Sequence, residues 1–141
     1  MARGGFSARG LRKKRMRQKW KETKYMRRQL QLAKKDPLGG APRGRGIVID
    51  KRQIEQKQPH SGMIKAVRVQ LIKNNVQVTA FVPGTGAIDQ INEHDEVIIE
   101  GVGGSQRGPI GSQWGIKYKV ASVNGVALSE ILSGKKQKPV R

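Results

Sequence analysis

A mainly β fold is predicted for this chain: a small strand-rich body with a long basic arm at its N-terminus and a short basic tail at its C-terminus. Three observations predict it. Charge is partitioned, with a net +14 on residues 1–45, +1 on 46–132 and +4 on 133–141, which make up the +19 of the 141-residue chain. Hydrophobic periodicity changes near Gly46 from a helical to an alternating pattern. Turn signals rich in Gly, Asn and Pro then recur between short apolar runs. Residues 1–45 are therefore expected to be an extension, 46–132 a globular body and 133–141 a flexible basic tail.

Within the arm, residues 11–35 contain no Gly or Pro and are rich in Lys, Arg, Gln, Leu and Met, which favour helix. Met16 and Trp20 lie four apart, and Met26, Leu30 and Ala33 follow at i, i+4 and i+7, giving a thin apolar stripe. One helix over 11–35 is expected, stopped by Asp36-Pro37 and Gly39-Gly40. Its like charges oppose it in the free protein, so it is expected to form chiefly when a bound partner neutralises them. The Gly-, Arg- and Pro-rich residues 1–10 and 37–46 are expected to lack regular structure alone.

In the body, Ile47-Val48-Ile49 reads as a short strand. Residues 66–72 alternate, with Val67, Val69 and Leu71 on one face and Arg68 and Gln70 on the other. Lys73-Asn74-Asn75 turns the chain, since Asn tolerates positive φ. It returns with Val76, Val78 and Ala80 opposite Gln77, Thr79 and Phe81, and Pro83-Gly84-Thr85-Gly86 ends the hairpin. Residues 96–102 form the next strand, and the adjacent Val97, Ile98 and Ile99 predict burial on both faces. Ile116, Tyr118 and Val120 alternate with Lys117 and Lys119 in a fifth strand, and Asn124-Gly125 marks a tight turn. Five short strands joined by Gly-rich loops point to a five-stranded, OB-type β-barrel. A lone antiparallel sheet packed on the arm helix is the alternative.

Composition excludes several function classes. A net charge of +19 makes a polyanion the default partner, through release of its counterions. An anionic membrane is the rival, but no apolar run approaches the ~18 residues a spanning helix needs. With no cysteines there are no disulfides, thiolate nucleophiles or Cys-based zinc sites. No apolar segment follows the basic start, so no secretory signal is expected. Residues 1–21 are Arg-rich and acid-poor like a mitochondrial transit peptide, but the basic stretch runs well past the usual length.

Enzyme signals are weak. His60 and His94 lack metal-ligand spacing, and His94 sits in an acidic turn, Asn92-Glu93-His94-Asp95-Glu96. Gly101-Val102-Gly103-Gly104 begins like a dinucleotide loop, but the third glycine position holds Gln106. Gly134-Lys135-Lys136 is no P-loop, since Ser129 occupies the earlier glycine position. No enzyme, no cofactor and no metal held by side chains alone are expected.

Two loops are unusual. The first, Lys57-Gln58-Pro59-His60-Ser61-Gly62 with Lys65 beyond it, sets a stiff Pro, an imidazole and a hydroxyl between lysines. Ser and Gln suit ribose hydroxyls and base edges, and lysines suit phosphates. A plain interstrand connection is the simpler reading. The second loop, 103–115, is glycine-dense and carries Arg107, Ser112, Gln113, Trp114 and Gly115, with Lys117 just after it. Trp114 suits either stacking on a base or capping the barrel end. On the arm the candidates for phosphate contact are Arg12, Lys13, Lys14, Arg15, Arg17, Lys19, Lys24, Arg27, Arg28, Lys34, Lys35, Arg43 and Arg45, with Trp20 among them.

Several segments together resemble a known family. They are Lys57-Gln58-Pro59-His60-Ser61-Gly62 with Ile64-Lys65, Val67-Arg68-Val69-Gln70-Leu71-Ile72-Lys73-Asn74, and Val78-Thr79-Ala80-Phe81-Val82-Pro83-Gly84. Gly10-Leu11-Arg12, Gln18-Lys19-Trp20, Pro37-Leu38-Gly39-Gly40-Ala41 and the end from Gly134-Lys135-Lys136 to Pro139 fit as well. In order, they resemble the small-subunit ribosomal protein twelve family (twenty-three in the older eukaryotic scheme), and its archaeal–eukaryotic branch in particular. The resemblance implies an OB-type barrel at the decoding centre and an arm threaded through ribosomal RNA. It implies that Lys57, Pro59, His60 and Ser61 support the RNA that monitors pairing of the A-site mRNA codon with the tRNA anticodon, partly through water or a structural Mg2+. By the same resemblance Lys65 holds nearby phosphates, the loop around 110–117 contributes, and Pro59 is a candidate for hydroxylation. Partners would be small-subunit rRNA, other small-subunit proteins and, transiently, translation factors, with no membrane. Residence would be cytoplasmic, in the ribosome, and nucleolar during assembly in a eukaryote.

The sequence also departs from the family. The first loop usually reads Pro-Asn-Ser-Ala, and here His60 and Gly62 replace Asn and Ala. Ser112-Gln113-Trp114-Gly115 lacks the acid and the proline usual in the second loop. The expected function is a structural rRNA-binding constituent that supports translational accuracy. The alternative is a dissociable OB-fold translation factor or RNA chaperone.

Overall fold

A computed structural model of the chain describes residues 4–58, 60–103, 113 and 115–140. The chain divides into two compact units, Met1–Gly40 and Ala41–Arg141.

The first unit is helical. In place of one helix over 11–35 there are three: α1 (Ser7–Lys19), α2 (Thr23–Gln29) and α3 (Leu32–Lys35). The first break follows Trp20, where the Lys21 and Glu22 amides bond back to Gln18 and Lys19 (3.0 and 3.1 Å) and Glu22 turns extended at ψ 120°. The second lies at Gln31, which adopts a left-handed φ of 50°. None of the three helices contains a buried residue. A helix rich in like charges, with no buried face, lacks the tertiary packing that sustains long helices, and it is interrupted at small local cost.

The second unit is built on β1 (Arg43–Glu55), β2 (Met63–Leu71), β3 (Gln77–Phe81), β4 (Glu96–Gly101), β5 (Tyr118–Val123) and β6 (Val126–Ala127), followed by α4 (Leu128–Leu132). A short 3-10 helix spans Ala87–Gln90. The strands form a six-stranded sheet ordered β3-β2-β1-β4-β5-β6, with every neighbouring pair antiparallel. A two-residue parallel contact, Ala80 with Tyr118 and Phe81 with Lys119, also ties β3 to β5.

This corrects the expected five-stranded OB-type barrel: the fold is a six-stranded sheet with mixed α/β content. The sixth strand was hidden in the Asn124-Gly125 turn signal. Both residues have positive φ (49° and 85°), so the turn has the twist that suits a two-residue hairpin, and Val123 pairs directly with Val126. A two-residue strand is too short to leave an alternating pattern of its own.

Other strands keep or shift their expected bounds. The alternation of Val67, Val69 and Leu71 against Arg68 and Gln70 is present, and Asn75 makes the turn at φ 58°. The first strand, read as 47–49, runs from Arg43 to Glu55, through a register irregularity between Val48 and Asp50. β4 is not buried on both faces: Val97 and Ile99 point inward, while Ile98 is half-buried opposite Arg45. Ile116 is 1% exposed but precedes β5.

The core is aliphatic, with Val48, Val67, Val69, Ile91, Val97, Ile99, Val120 and Val123 at its centre and Leu128 of α4 covering one side. No polar or charged residue is buried among the described residues. Each of the buried Val, Ile and Leu side chains contributes about 1.5–3 kcal/mol by leaving water. The basic tail, read as flexible, is held instead. Gly134 (φ 77°) ends α4, its amide bonding to Ile131 O (3.3 Å) and that of Lys135 to Glu130 O (3.1 Å), the two bonds of a Schellman cap.

Candidate RNA-binding interface

The first loop is the tip of a long hairpin. β1 and β2 pair out to Ile54 with Ile64 and Glu55 with Met63, whereas β4 pairs with β1 only as far as Ile47 and β3 with β2 only as far as Ala66. The end of the hairpin is thus a two-stranded ribbon. Across its tip the Gln56 amide donates to Gly62 O (3.2 Å) and the His60 amide to Lys57 O (2.9 Å). Gln58, His60, Ser61 and Gly62 are exposed, and Lys57 and Lys65 are half-buried at the base. Pro59 lies outside the described residues. Two backbone hydrogen bonds thus cross the tip, while the side chains of Gln58, His60 and Ser61 are exposed.

The second loop connects β4 to β5. The Val102 amide bonds to Lys117 O (3.0 Å) and closes its base. Gly115 (φ 66°) and Lys117 are exposed on either side of the buried Ile116. Gln113 is half-buried, with its Oε1 buried and lacking a hydrogen-bond partner. Arg107, Ser112 and Trp114 lie outside the described residues. Ala66 beside Phe81, and Phe81 beside Lys119, join the strands that root the two loops in one row of the sheet.

On the arm, Arg12, Lys13, Lys14, Arg15, Arg17 and Lys19 of α1, Lys24, Arg27 and Arg28 of α2, and Lys34 and Lys35 of α3 are all exposed. At the α1–α2 break Trp20 meets Tyr25 edge to face, with centroids 5.4 Å apart and planes at 80°, and Lys19 Nζ stands 4.8 Å from the centre of the Tyr25 ring. Sequence reasoning missed Tyr25, which lies off the apolar stripe of an unbroken helix.

Arg43 and Arg45 do not belong to the arm. They lie on β1, where Arg43 Nε bonds Glu100 Oε2 (3.1 Å) and Arg45 Nε lies 3.6 Å from Glu96 Oε1. Lys119 Nζ reaches the other oxygen of Glu100 (3.3 Å). The two arginines are 66% and 62% exposed, so each pair contributes no more than about 1 kcal/mol. A phosphate would still have to displace a carboxylate from either.

The tail supplies another cluster that the sequence did not reveal. Lys138 Nζ bonds Asp95 Oδ2 at 2.8 Å, both side chains being half-buried. Asn124 Nδ2 donates to Asp95 Oδ1 (3.2 Å) and to Pro139 O (3.1 Å), and its Oδ1 accepts from the Glu96 amide (3.1 Å). Burial acts to raise the Asp95 pKa. The hydrogen bonds from Lys138, the Asn92 amide and Asn124, with the Lys138 charge, outweigh it and hold the carboxyl below 3.8. Among the described residues no group of three or more His, Cys, Asp or Glu side chains could hold a metal, and no helix is long and apolar enough to cross a membrane.

The family model described as ribosomal protein S12/S23 matches residues 31–141. The chain belongs to that family. The matched segment begins at the end of the arm and takes in α3, the whole sheet and the tail. Membership in the S12/S23 family is consistent with a structural, RNA-binding and non-catalytic role in the small subunit. It implies association with ribosomal RNA and other ribosomal proteins, and a cytoplasmic, ribosomal residence.

Proposed function

We infer that this member of the S12/S23 family works at the decoding centre, where it stiffens the ribosomal RNA that checks codon–anticodon pairing in the A site. The observation that carries this reading is the ribbon of β1 and β2, which holds Gln58, His60 and Ser61 exposed at its tip with Lys57 and Lys65 behind them. In this reading Lys57 and Lys65 hold phosphates, Ser61 and Gln58 meet ribose hydroxyls or base edges, and His60 takes the place of the amide usual in the family. Pro59 keeps the tip stiff and is the candidate for hydroxylation. Lys117, Gly115 and Gln113, with Arg107, Ser112 and Trp114, serve the same RNA from the second loop. A structural Mg2+ would take its oxygen ligands from the RNA, from water and from the Ser61 hydroxyl, away from the Lys57 and Lys65 ammonium groups. Translation factors pass this surface transiently, the arm cations neutralise rRNA phosphates, and a eukaryotic copy would join the subunit in the nucleolus.

The test is the error rate of ribosomes carrying Lys57→Ala or Pro59→Leu. Altered misreading with normal subunit assembly is expected, and an unchanged error rate in both would overturn the reading. The chain should also stay with purified small subunits through a high-salt wash. Release at moderate salt would favour a dissociable RNA-binding factor.

A further inference from the structure

We propose that Trp20 is a stacking platform for one unpaired RNA base, braced by Tyr25 and flanked by Lys19 for the adjoining phosphate; this rests on the RNA-binding reading above. Trp20 lies before the family-matched segment, on an arm whose helices bury no residue. It is 43% exposed, a large apolar surface left in water beside many cations. Its ring is nonetheless braced. In an uninterrupted helix, residues five apart would point roughly 140° away from each other. Trp20 and Tyr25 meet because α1 ends at Lys19, the Lys21 and Glu22 amides bonding back only three residues to Gln18 and Lys19, and α2 restarts after Glu22. The break therefore creates the corner.

The geometry of that corner suits a base. The two rings stand at 80° with centroids 5.4 Å apart, so Tyr25 fixes the orientation of the indole, while Trp20 keeps 43% of its surface open to a base. Lys19 is held over the Tyr25 ring by cation–π attraction, so a positive charge sits beside the platform. Stacking on an aromatic face together with a neighbouring cation is how unpaired RNA bases are held without reading their sequence. A partner offering only phosphates would leave the indole uncovered. The simpler alternative is that the two rings merely pin α1 against α2.

The experiment titrates the full chain with a single-stranded RNA oligonucleotide and with a blunt RNA duplex of equal length, following affinity and tryptophan fluorescence. The variants are Trp20→Phe, which keeps an aromatic face, and Trp20→Leu, which keeps apolar packing but cannot stack. Single-stranded RNA is expected to quench emission in a Trp114→Phe background, where Trp20 is the one indole left, and the quench of the wild type is expected to shrink in Trp20→Leu. Trp20→Leu should lose about 5- to 100-fold in single-strand affinity with an unchanged salt slope, while duplex affinity stays level and Trp20→Phe keeps most of its binding. Wild-type affinity in Trp20→Leu, or equal losses for strand and duplex, would overturn the platform while leaving RNA binding by the arm intact. Failure of the wild type to bind either RNA would overturn both.

Discussion

Gly46 stands between two strands at once, opposite Leu71 of β2 and Val97 of β4, and a Cβ there would run into Val69 Cγ1 and lie 2.9 Å from Gln70 O. Since one obstacle is backbone, the strands would have to part. Gly46→Ala is expected to cost about 1–3 kcal/mol in urea unfolding, with no change in the salt slope of RNA binding because no charge is altered. Asp95 makes a pH-dependent contribution. Its folded pKa lies below 3.8, so its share of the stability is fully present above the unfolded value and is lost as pH falls through the lower folded value. Asp95→Asn should be less stable than wild type near neutral pH, and the gap should narrow as thermal melts are taken below pH 3.8. Lys138→Met leaves the carboxylate without its shortest partner and should cost about 1–2 kcal/mol in the same melts.

At the scale of elements, β4 is where cations and acids meet. Glu100 stands between Arg43 of β1 and Lys119 of β5, so it mutes two positive charges on the outer face of the sheet. Glu100→Gln is expected to cost less than about 1 kcal/mol in stability yet to steepen the salt dependence of RNA binding, since both cations become available to phosphates. An unchanged slope would show that this face stays away from RNA. The arm helices have the opposite balance. Cations crowd α1 and no acid lies within it, so helical ellipticity at 222 nm in the full chain should rise on adding RNA. Legibility followed the same division. The hairpin of β2 and β3 could be read because Val67, Val69 and Leu71 alternate strictly and Asn75 accepts positive φ. The breaks at Trp20 and Gln31 could not, because neither site carries the Gly or Pro that marks a helix end locally.

For the whole molecule, the unit Ala41–Arg141 holds every described core residue except Leu38. A chain beginning at Ala41 is therefore expected to melt cooperatively, within a few degrees of the full chain, while its RNA affinity falls and its salt slope flattens by calorimetry and filter binding. Charge partition, the period-two alternation of the β2–β3 hairpin and the residues that carry the family resemblance are properties of neighbours along the chain, and the sequence alone determined them. Only the tertiary structure decided that there are six strands, that Arg43 and Arg45 face carboxylates in the sheet, that Lys138 fastens the tail to Asp95, and that Tyr25 stands against Trp20. Most of these join positions far apart in sequence, and Trp20 and Tyr25 meet only through a break that no local signal marks. Periodicity reports which face a side chain takes, whereas strand partners and ion pairs are selected by the packing of the whole chain.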